Sequence, residues 1–365
     1  MKKNIYRVFT LFFALMIILA GCGKSSSNNN ENSTVKEQEN EEQTAGNDNQ
    51  KETKMVIDIS GKEVELPNEV TKVVNTWPSS ATMMIALGAG DTLVGIHKYV
   101  KTLPFNELIY PDLQQIPTVE DNPEEFLKLE PDVIVANDDE TIENYNKAGL
   151  KAVNLMFNNY ETMKQSVSIL GDVLGGEYKG KTDQLVTYID DNLNKVQEAF
   201  KDLKDEDKPV VYYAIGDMYS TTGAGTIMEE WVKYGGGVYA TSDLGKGMRV
   251  EITAEDILKK NPDIIVISGG EGSEELVNSF KTTPEWSEIN AVKNNKIFVI
   301  PSGCFAWDRF GAESALQIVW AANTFHPDLF PIDMKEETRN FYKTYSNFDI
   351  SDEQLEQLLS GKVVK

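Results

Sequence analysis

Between residues 178 and 203, apolar side chains recur at Leu185, Ile189, Leu193, Val196, Phe200 and Leu203, at spacings of three or four. That is one face of a 3.6-residue helix. The opposite face carries Lys181, Asp183, Asp190, Asp191, Lys195 and Glu198. At 1.5 Å per residue the stretch predicts a helix roughly 39 Å long, enough to cross a small domain. On either side the chain echoes itself. Phe126-Leu-Lys-Leu-Glu-Pro-Asp-Val-Ile-Val135 precedes the helix, and Ile257-Leu-Lys-Lys-Asn-Pro-Asp-Ile-Ile-Val266 follows it at an offset of 131 residues. The pattern implies two similar lobes joined by one helix.

Around this axis the periodicity alternates between strand and helix. Residues 55–66, with Ser60-Gly61 at the middle, predict a hairpin. Strands are expected at 70–76, 93–96, 131–136 and 152–156, interleaved with helices at 78–88, 124–129 and 139–148, the first opened by Pro78 with a serine cap. A helix at 160–174 ends at Gly175-Gly176. In the second half, strands at 210–215, 263–268 and 296–300 alternate with helices at 228–234, 254–260 and 313–325, and 352–359 closes the chain as a helix. Such alternation predicts an α/β fold with parallel, right-handed β-α-β units: two Rossmann-like lobes with a ligand cleft between them.

The start of the chain is an address and not part of the fold. Lys2, Lys3 and Arg7 precede an apolar run over residues 8–19, too short to span a bilayer comfortably. Leu19-Ala-Gly-Cys22 then resembles a bacterial lipobox, which makes residues 1–21 a signal peptide and Cys22 the lipidated first residue of the mature chain. Residues 22–54 are rich in Ser, Asn, Glu and Gln and predict a disordered tether with a reach of roughly 30 Å. The expected boundaries are a first lobe at 55–159, a helical connector at 160–204 containing the backbone helix 178–203, and a second lobe at 205–365.

Composition narrows the chemistry. The chain is 41% hydrophobic with a formal net charge of −23, more negative still without its basic leader. This argues against nucleic acid and against electrostatic adhesion to anionic lipid. Beyond Cys22 the only cysteine is Cys304, so no disulfide within the mature fold is expected once Cys22 carries lipid. There is no Gly-x-Ser-x-Gly, Walker or His-Glu-x-x-His motif, and histidine occurs only at 97 and 326. Neither a catalytic residue nor a protein-built metal site is expected, and Cys304 has no evident histidine partner.

Ligands of parallel α/β lobes bind at the carboxyl ends of the strands. Those ends carry Trp77, His97, Lys98, Tyr99, Asn137, Asp138, Met156 and Phe157 in the first half. In the second they carry Gly216, Asp217, Tyr219, Ser268, Gly269, Ser302, Phe305, Trp307 and Arg309. Arginine is rare: after the leader it occurs only at Arg249, Arg309 and Arg339. Its planar fork suits bidentate recognition of carboxylates and oxyanions, although Asp308 is an obvious ion-pair partner for Arg309. Trp77, His97, Tyr99, Tyr219, Arg249, Trp307 and Arg309 are therefore the candidate ligand contacts, and a positive pocket in so acidic a protein would select an anionic or chelated cargo. Glu124 and Glu255 each stand seven residues before the proline of the repeated motif, at a helix start where an acid suits the helix dipole.

The lipobox, the tether, Val73-Val-Asn-Thr-Trp-Pro-Ser-Ser80 leading to Ala86-Leu-Gly-Ala-Gly-Asp91, Leu129-Glu-Pro-Asp-Val-Ile-Val135 and Asn261-Pro-Asp-Ile-Ile-Val266 together resemble bacterial solute-binding lipoproteins of iron-chelate and cobalamin ABC importers, the class III periplasmic binding proteins, over about residues 55–330. The resemblance implies a non-enzymatic, monomeric receptor on the extracellular or periplasmic face of the membrane, with no covalent cofactor. Its partners would be an ABC permease dimer with its ATPase, docked through Glu124 and Glu255. The acid more usual after the Pro-Ser turn is replaced here by Thr82-Met83. The implied cargo is a metal chelate, foremost a ferric siderophore, with molybdate or tungstate, heme, cobalamin and nickel chelates as alternatives. A secreted hydrolase using Asp138 or Asp308, and a sensory module, are the rivals from other classes. A single continuous connecting helix further implies small lobe motion.

Overall fold

The strands of both halves are runs of Val, Ile and Ala rather than alternating sequences, which is the mark of parallel strands buried on both faces. The computed structural model describes residues 52–364 and bears this out; the leader, Cys22 and almost all of the predicted tether lie outside the described residues. An antiparallel hairpin, β1 (Thr53–Ile57) and β2 (Glu63–Pro67), comes first. Thr53 and Lys54, expected in the tether, are the first residues of β1. The hairpin turn is pinned by buried Asp58, which accepts from the Ser60 and Lys62 amides at 2.9 Å and from the Asn154 amide at 3.1 Å.

The first lobe is a parallel sheet of β3 (Val73–Asn75), β4 (Leu93–His97), β5 (Thr118–Val119), β6 (Val133–Ala136) and β7 (Ala152–Asn154), in the order β5-β4-β3-β6-β7. The second lobe pairs β8 (Val210–Ala214) with β10 (Val238–Tyr239) on one side and with β12 (Ile264–Ile267) on the other, where β13 (Ile297–Val299) completes a parallel sheet. A small antiparallel ribbon, β9 (Ser220–Thr221) with β11 (Val250–Glu251), extends beyond the carboxyl end of β8. That ribbon has no signature in the periodicity.

Helix α1 (Pro78–Ala86) begins with Pro78 in its first turn, but no serine caps it. Ser80 Oγ instead accepts from Nδ2 of the buried Asn75 side chain at 3.1 Å. Helices α2 (Pro104–Ile109), α3 (Pro123–Leu129) and α4 (Asp139–Lys147) complete the first lobe. The connector is α5 (Tyr160–Leu174) and the 25-residue α6 (Gly176–Phe200), separated by Gly175 at φ +70°. The long helix thus starts two residues earlier and ends three earlier than its apolar spacing predicts, because Leu203 sits in the closing turn, its amide on the Phe200 carbonyl at 3.0 Å. In the second lobe follow α7 (Ile227–Tyr234), α8 (Ala254–Lys260), α9 (Ser273–Thr282), α10 (Asn290–Lys293), α11 (Ser314–Phe325), α12 (Met334–Ser346) and α13 (Asp352–Leu359).

The repeated motif has the same local structure in both lobes. Phe126 and Ile257 are fully buried. Glu130 and Asn261 end their helices in the left-handed region, at φ 48° and 44°. Asp132 then accepts from the Lys72 amide at 2.9 Å, and Asp263 from the Val210 amide at 3.0 Å, so each aspartate fastens the start of its lobe's first strand.

Leu185, Ile189 and Val196 on α6 have no exposed surface. The helix also reaches both lobes through polar contacts: Lys181 donates to the Leu87 carbonyl at 3.0 Å, and Asn192 to the Ala315 carbonyl at 3.1 Å. A second tie runs through α12. Ser346 donates to the Ala86 carbonyl at 2.5 Å, and the Tyr342 ring packs at a tilt against Phe105 at 5.0 Å between ring centroids. Replacing Ile189 with alanine is expected to lower stability by about 2–5 kcal/mol; urea unfolding followed by tryptophan fluorescence checks this, and an unchanged midpoint would show that α6 does not carry the connection.

Candidate functional site

In the second lobe the strand order reverses at β8 and β12, and this switch point is where an open α/β sheet leaves a crevice. The chain leaving β8 supplies Ile215 and Gly216, that leaving β12 supplies Ser268 to Gly272, and that leaving β13 supplies Ser302 and Gly303. They line a cleft of about 750 Å³, completed by Phe305, Ala306 and Arg309 and, from the first lobe, by Tyr99 and Thr102 to Phe105. Gly269 is required by packing, since a Cβ there would lie 2.0 Å from the Ile300 carbonyl oxygen. Tyr99 and Phe305 approach edge to face at 6.3 Å, one ring from each lobe.

Arg309 is the cation of this wall. Its Nε donates to Asp308 Oδ1 at 2.7 Å, and its Nη2 to Asp308 Oδ2 at 2.8 Å and to the Tyr213 hydroxyl at 3.0 Å, with Ser268 Oγ as a further acceptor. Nη1 has no protein partner among the described residues. Burial alone would pull the Arg309 pKa down, but the charge and hydrogen bonds of Asp308 raise it above the usual value. Asp308 is fully buried and also accepts from the Tyr213 hydroxyl at 2.6 Å. The sequence suggested a positive pocket. The structure instead gives a guanidinium whose charge is matched by a buried carboxylate, fixed in orientation and with one donor nitrogen to spare. Just after it, Phe310 sits at φ 48°, an uncommon conformation for a bulky residue, and its ring packs against Trp77 and Phe157 of the first lobe at 6.0 and 5.5 Å.

The other predicted contacts fall in different places. Trp307 has no exposed surface and Trp77 only 6%; both belong to the main core and neither lines the cleft. Phe157 is equally buried. His97 lies in a separate hollow of about 310 Å³ at the carboxyl edge of the first sheet, with Lys98, Asn137 and Asp138, and its Nδ1 accepts from the Tyr99 amide at 3.2 Å. Tyr219 packs on Trp286 at 5.8 Å beside the ribbon. Arg249 immediately precedes β11, with its side chain 71% exposed, 3.9 Å from Asp217 and outside the cleft lining. Of the seven candidates, the cleft brings together Tyr99 and Arg309. It also recruits residues the sequence reading passed over: Leu103 to Phe105, the Gly270-Glu271-Gly272 loop and Val363-Val364. The glycine-rich run after β12 was a usable signal; the others carry none.

The chemistry expected of a hydrolase is missing at the named residues. Asp308 is consumed by its ion pair, and Asp138 caps α4 by accepting from the Thr141 amide at 2.7 Å. Cys304 is fully buried, and burial and the nearby Glu313 push its thiol pKa well up, away from the reactive thiolate. Among the described residues no cluster of three or more His, Cys, Asp or Glu could hold a metal ion.

Residues 73–303 match the Periplasmic binding protein family. The chain belongs to that family. It is 27% identical over 286 residues to the uncharacterized ABC transporter substrate-binding lipoprotein YvrC of Bacillus subtilis, covering 75% of this chain and 85% of that protein. It is 22% identical over 325 residues to the iron(3+)-hydroxamate-binding protein YxeB of B. subtilis, covering 82% and 89%. The molybdate-bound structure of MolA from Haemophilus influenzae superposes with a TM-score of 0.72 at 21% identity, covering 82% of this chain and 99% of that one. The two-lobed class III architecture is thus the family's own, and the protein is the non-enzymatic solute-binding component of an ABC importer. Such binding proteins act outside the cytoplasm and serve a permease that is driven by an ATPase; no helix among the described residues is long and apolar enough to cross a membrane.

Proposed function

We propose that the cleft captures a metal chelate of near-zero net charge, foremost a ferric siderophore, and that the protein delivers it to its permease from a lipid anchor at Cys22. The observation that carries this reading is the pairing of Arg309 with Asp308 in a cleft of about 750 Å³. That volume is in the range of sites for drug-sized ligands, roughly 300–1,000 Å³, whereas a bare oxyanion needs the space of a few waters at about 30 Å³ each. A compensated guanidinium also holds a dianion poorly, but can still donate to the oxygen donors of a chelate. Iron(III) bound by three monoanionic bidentate groups is neutral overall and offers such oxygens, and Tyr99 and Phe305 supply apolar surface for its scaffold. The relative named for iron(3+)-hydroxamate supports this choice; the one named for molybdate marks the alternative.

Titration of the protein with a neutral ferric trihydroxamate (ferrichrome), hemin, cobalamin and molybdate, read by tryptophan fluorescence, tests the cargo. Binding of ferrichrome with a Kd near 1 μM or tighter is expected, about −8 kcal/mol. The paired change Asp308→Asn with Arg309→Met, which leaves no buried charge unmatched, should weaken it at least tenfold. A response to molybdate alone would overturn the chelate in favour of the oxyanion.

For delivery, Glu124 and Glu255 are exposed at the starts of α3 and α8 in structurally equivalent positions. They are assigned to dock on the two subunits of the permease. The double substitution Glu124→Ala with Glu255→Ala is expected to keep cargo affinity and abolish uptake by whole cells; lost affinity would show the acids to belong to the cleft. The anchor predicts that wild-type protein partitions into detergent and that Cys22→Ala moves it to the aqueous phase.

A further inference from the structure

The described residues expose few large apolar side chains, and two of these line the cleft: Tyr99 at 46% exposure and Val363 at 38%. Apolar surface left open inside a ligand cleft is surface held ready for a ligand. Tyr99 belongs to the first lobe. Val363 comes from the end of the chain, 60 residues past the last position of the family match at 303. Nothing in the family match therefore accounts for it.

The segment bearing Val363 is built in at both ends. Helix α13 is fixed by a capping box at Ser351 and by fully buried Leu355 and Leu358, and it delivers the chain to Gly361. Gly361 lies at φ +73°, so close to β13 that a Cβ would stand 2.2 Å from Val299 Cγ1 and 2.9 Å from the Ile300 oxygen. Its carbonyl accepts from the Gly270 amide at 3.2 Å, which splices the segment onto the glycine loop of the cleft. The Lys362 amide donates to the Gln357 carbonyl at 3.0 Å. On the far side Val364 is 1% exposed and packs into the main core. Val363 thus stands between two anchors. Its exposure is not the fraying of a loose end, because its neighbours on both sides are fixed.

We infer that the segment Gly361–Val364 is a wall of the cleft and that Val363 is a specificity-determining contact for the apolar skirt of the cargo. The inference deepens the chelate reading and rests on it. A chelate large enough to fill the cleft presents its oxygens to Arg309 and Ser268 and its hydrocarbon to Val363 and Tyr99. A small polar solute held at Arg309 would have no use for Val363.

The experiment titrates wild-type protein, Val363→Asp and Val363→Leu with ferrichrome and with molybdate, each variant first checked for an unchanged melting temperature. Val363 is partly exposed, so both variants are expected to fold; if aspartate lowers the melting temperature, the isosteric Val363→Thr replaces it and should raise the ferrichrome Kd at least threefold, an unchanged Kd overturning the wall. Val363→Asp should raise the Kd for ferrichrome at least tenfold, while Val363→Leu stays within threefold of wild type. Ferrichrome binding unchanged in Val363→Asp, with wild type binding well, would overturn the wall and leave the chelate reading standing. A wild-type protein that binds molybdate and not ferrichrome, or neither, would overturn both.

Discussion

One apolar core runs through both lobes, and the placement of every cleft residue depends on it. Along β6, Val133 and Val135 face this core while Ile134 and Ala136 face the outer core of the first lobe. Along β8 and β12, Val211, Tyr213, Ile264 and Val266 face the shared core, and Tyr212, Ala214, Ile265 and Ile267 face the outer core of the second. The two-residue period of a strand therefore sorts each sheet into an inner face held in common and an outer face of its own. The common core is closed by α6, α11 and α12, with Leu185, Ile189, Leu316, Val319 and Phe341 among its members. Packed interiors behave as jigsaws and not as fluids, so the spacing of the lobes is set by side-chain volumes as much as by the connecting helix.

That shared core changes what the long helix means. Its amphipathic spacing pointed to a stiff rod between two bodies, and a rod alone permits rocking at its ends. The structure adds a strap from the far end of the chain: α12 lies against α1 through Ser346 and Ala86, while Tyr342 and Phe348 pack on Phe105. Phe105 is itself at the edge of the cleft. A wide hinge would have to part Trp77 and Phe157 from Phe310 and pull Phe105 off α12, exposing aromatic surface that costs about 25 cal/mol for each Å². This packing opposes a wide hinge and supports the expectation of small lobe motion.

Much of this was legible in the sequence because it follows from periodicity. The alternation of strands with helices implied the parallel sheets, the 131-residue echo implied the two lobes, whose matched left-handed caps at Glu130 and Asn261 the structure adds, and the rarity of arginine pointed to Arg309 along with Arg249. What failed did so for identifiable reasons. Being aromatic and adjacent to a strand end put Trp77 and Trp307 among the candidate contacts, yet a tryptophan just past a strand can turn into the core as readily as out of it, and here both are buried in it. Arg249 sits just before a ribbon whose two-residue strands are too short to leave a pattern. The cleft's own Leu103 to Phe105 and Val363 are ordinary apolar residues whose role arises only when distant elements meet.

The ion pair at the foot of the cleft shows most clearly how structure revises a composition argument. Counting charges, a lone arginine at a strand end in a protein of net charge −23 reads as an anion trap. The adjacent aspartate was visible in the sequence, but whether it would face solvent or the guanidinium was not. Full burial of Asp308 settles the matter, because an unpaired carboxylate there would be prohibitively costly to desolvate and Arg309 is the cation placed to compensate it. The pair in turn fixes the Arg309 plane through two parallel hydrogen bonds, the geometry in which arginine gives up little side-chain entropy when a ligand arrives. Preorganisation is thus obtained at the expense of net charge. On the proposed reading, a site made this way discriminates by the position of oxygen acceptors and by the fit of apolar surface against Tyr99, Phe305 and Val363. Those are the features that separate one chelate from another, whereas charge separates only chelates from simple ions.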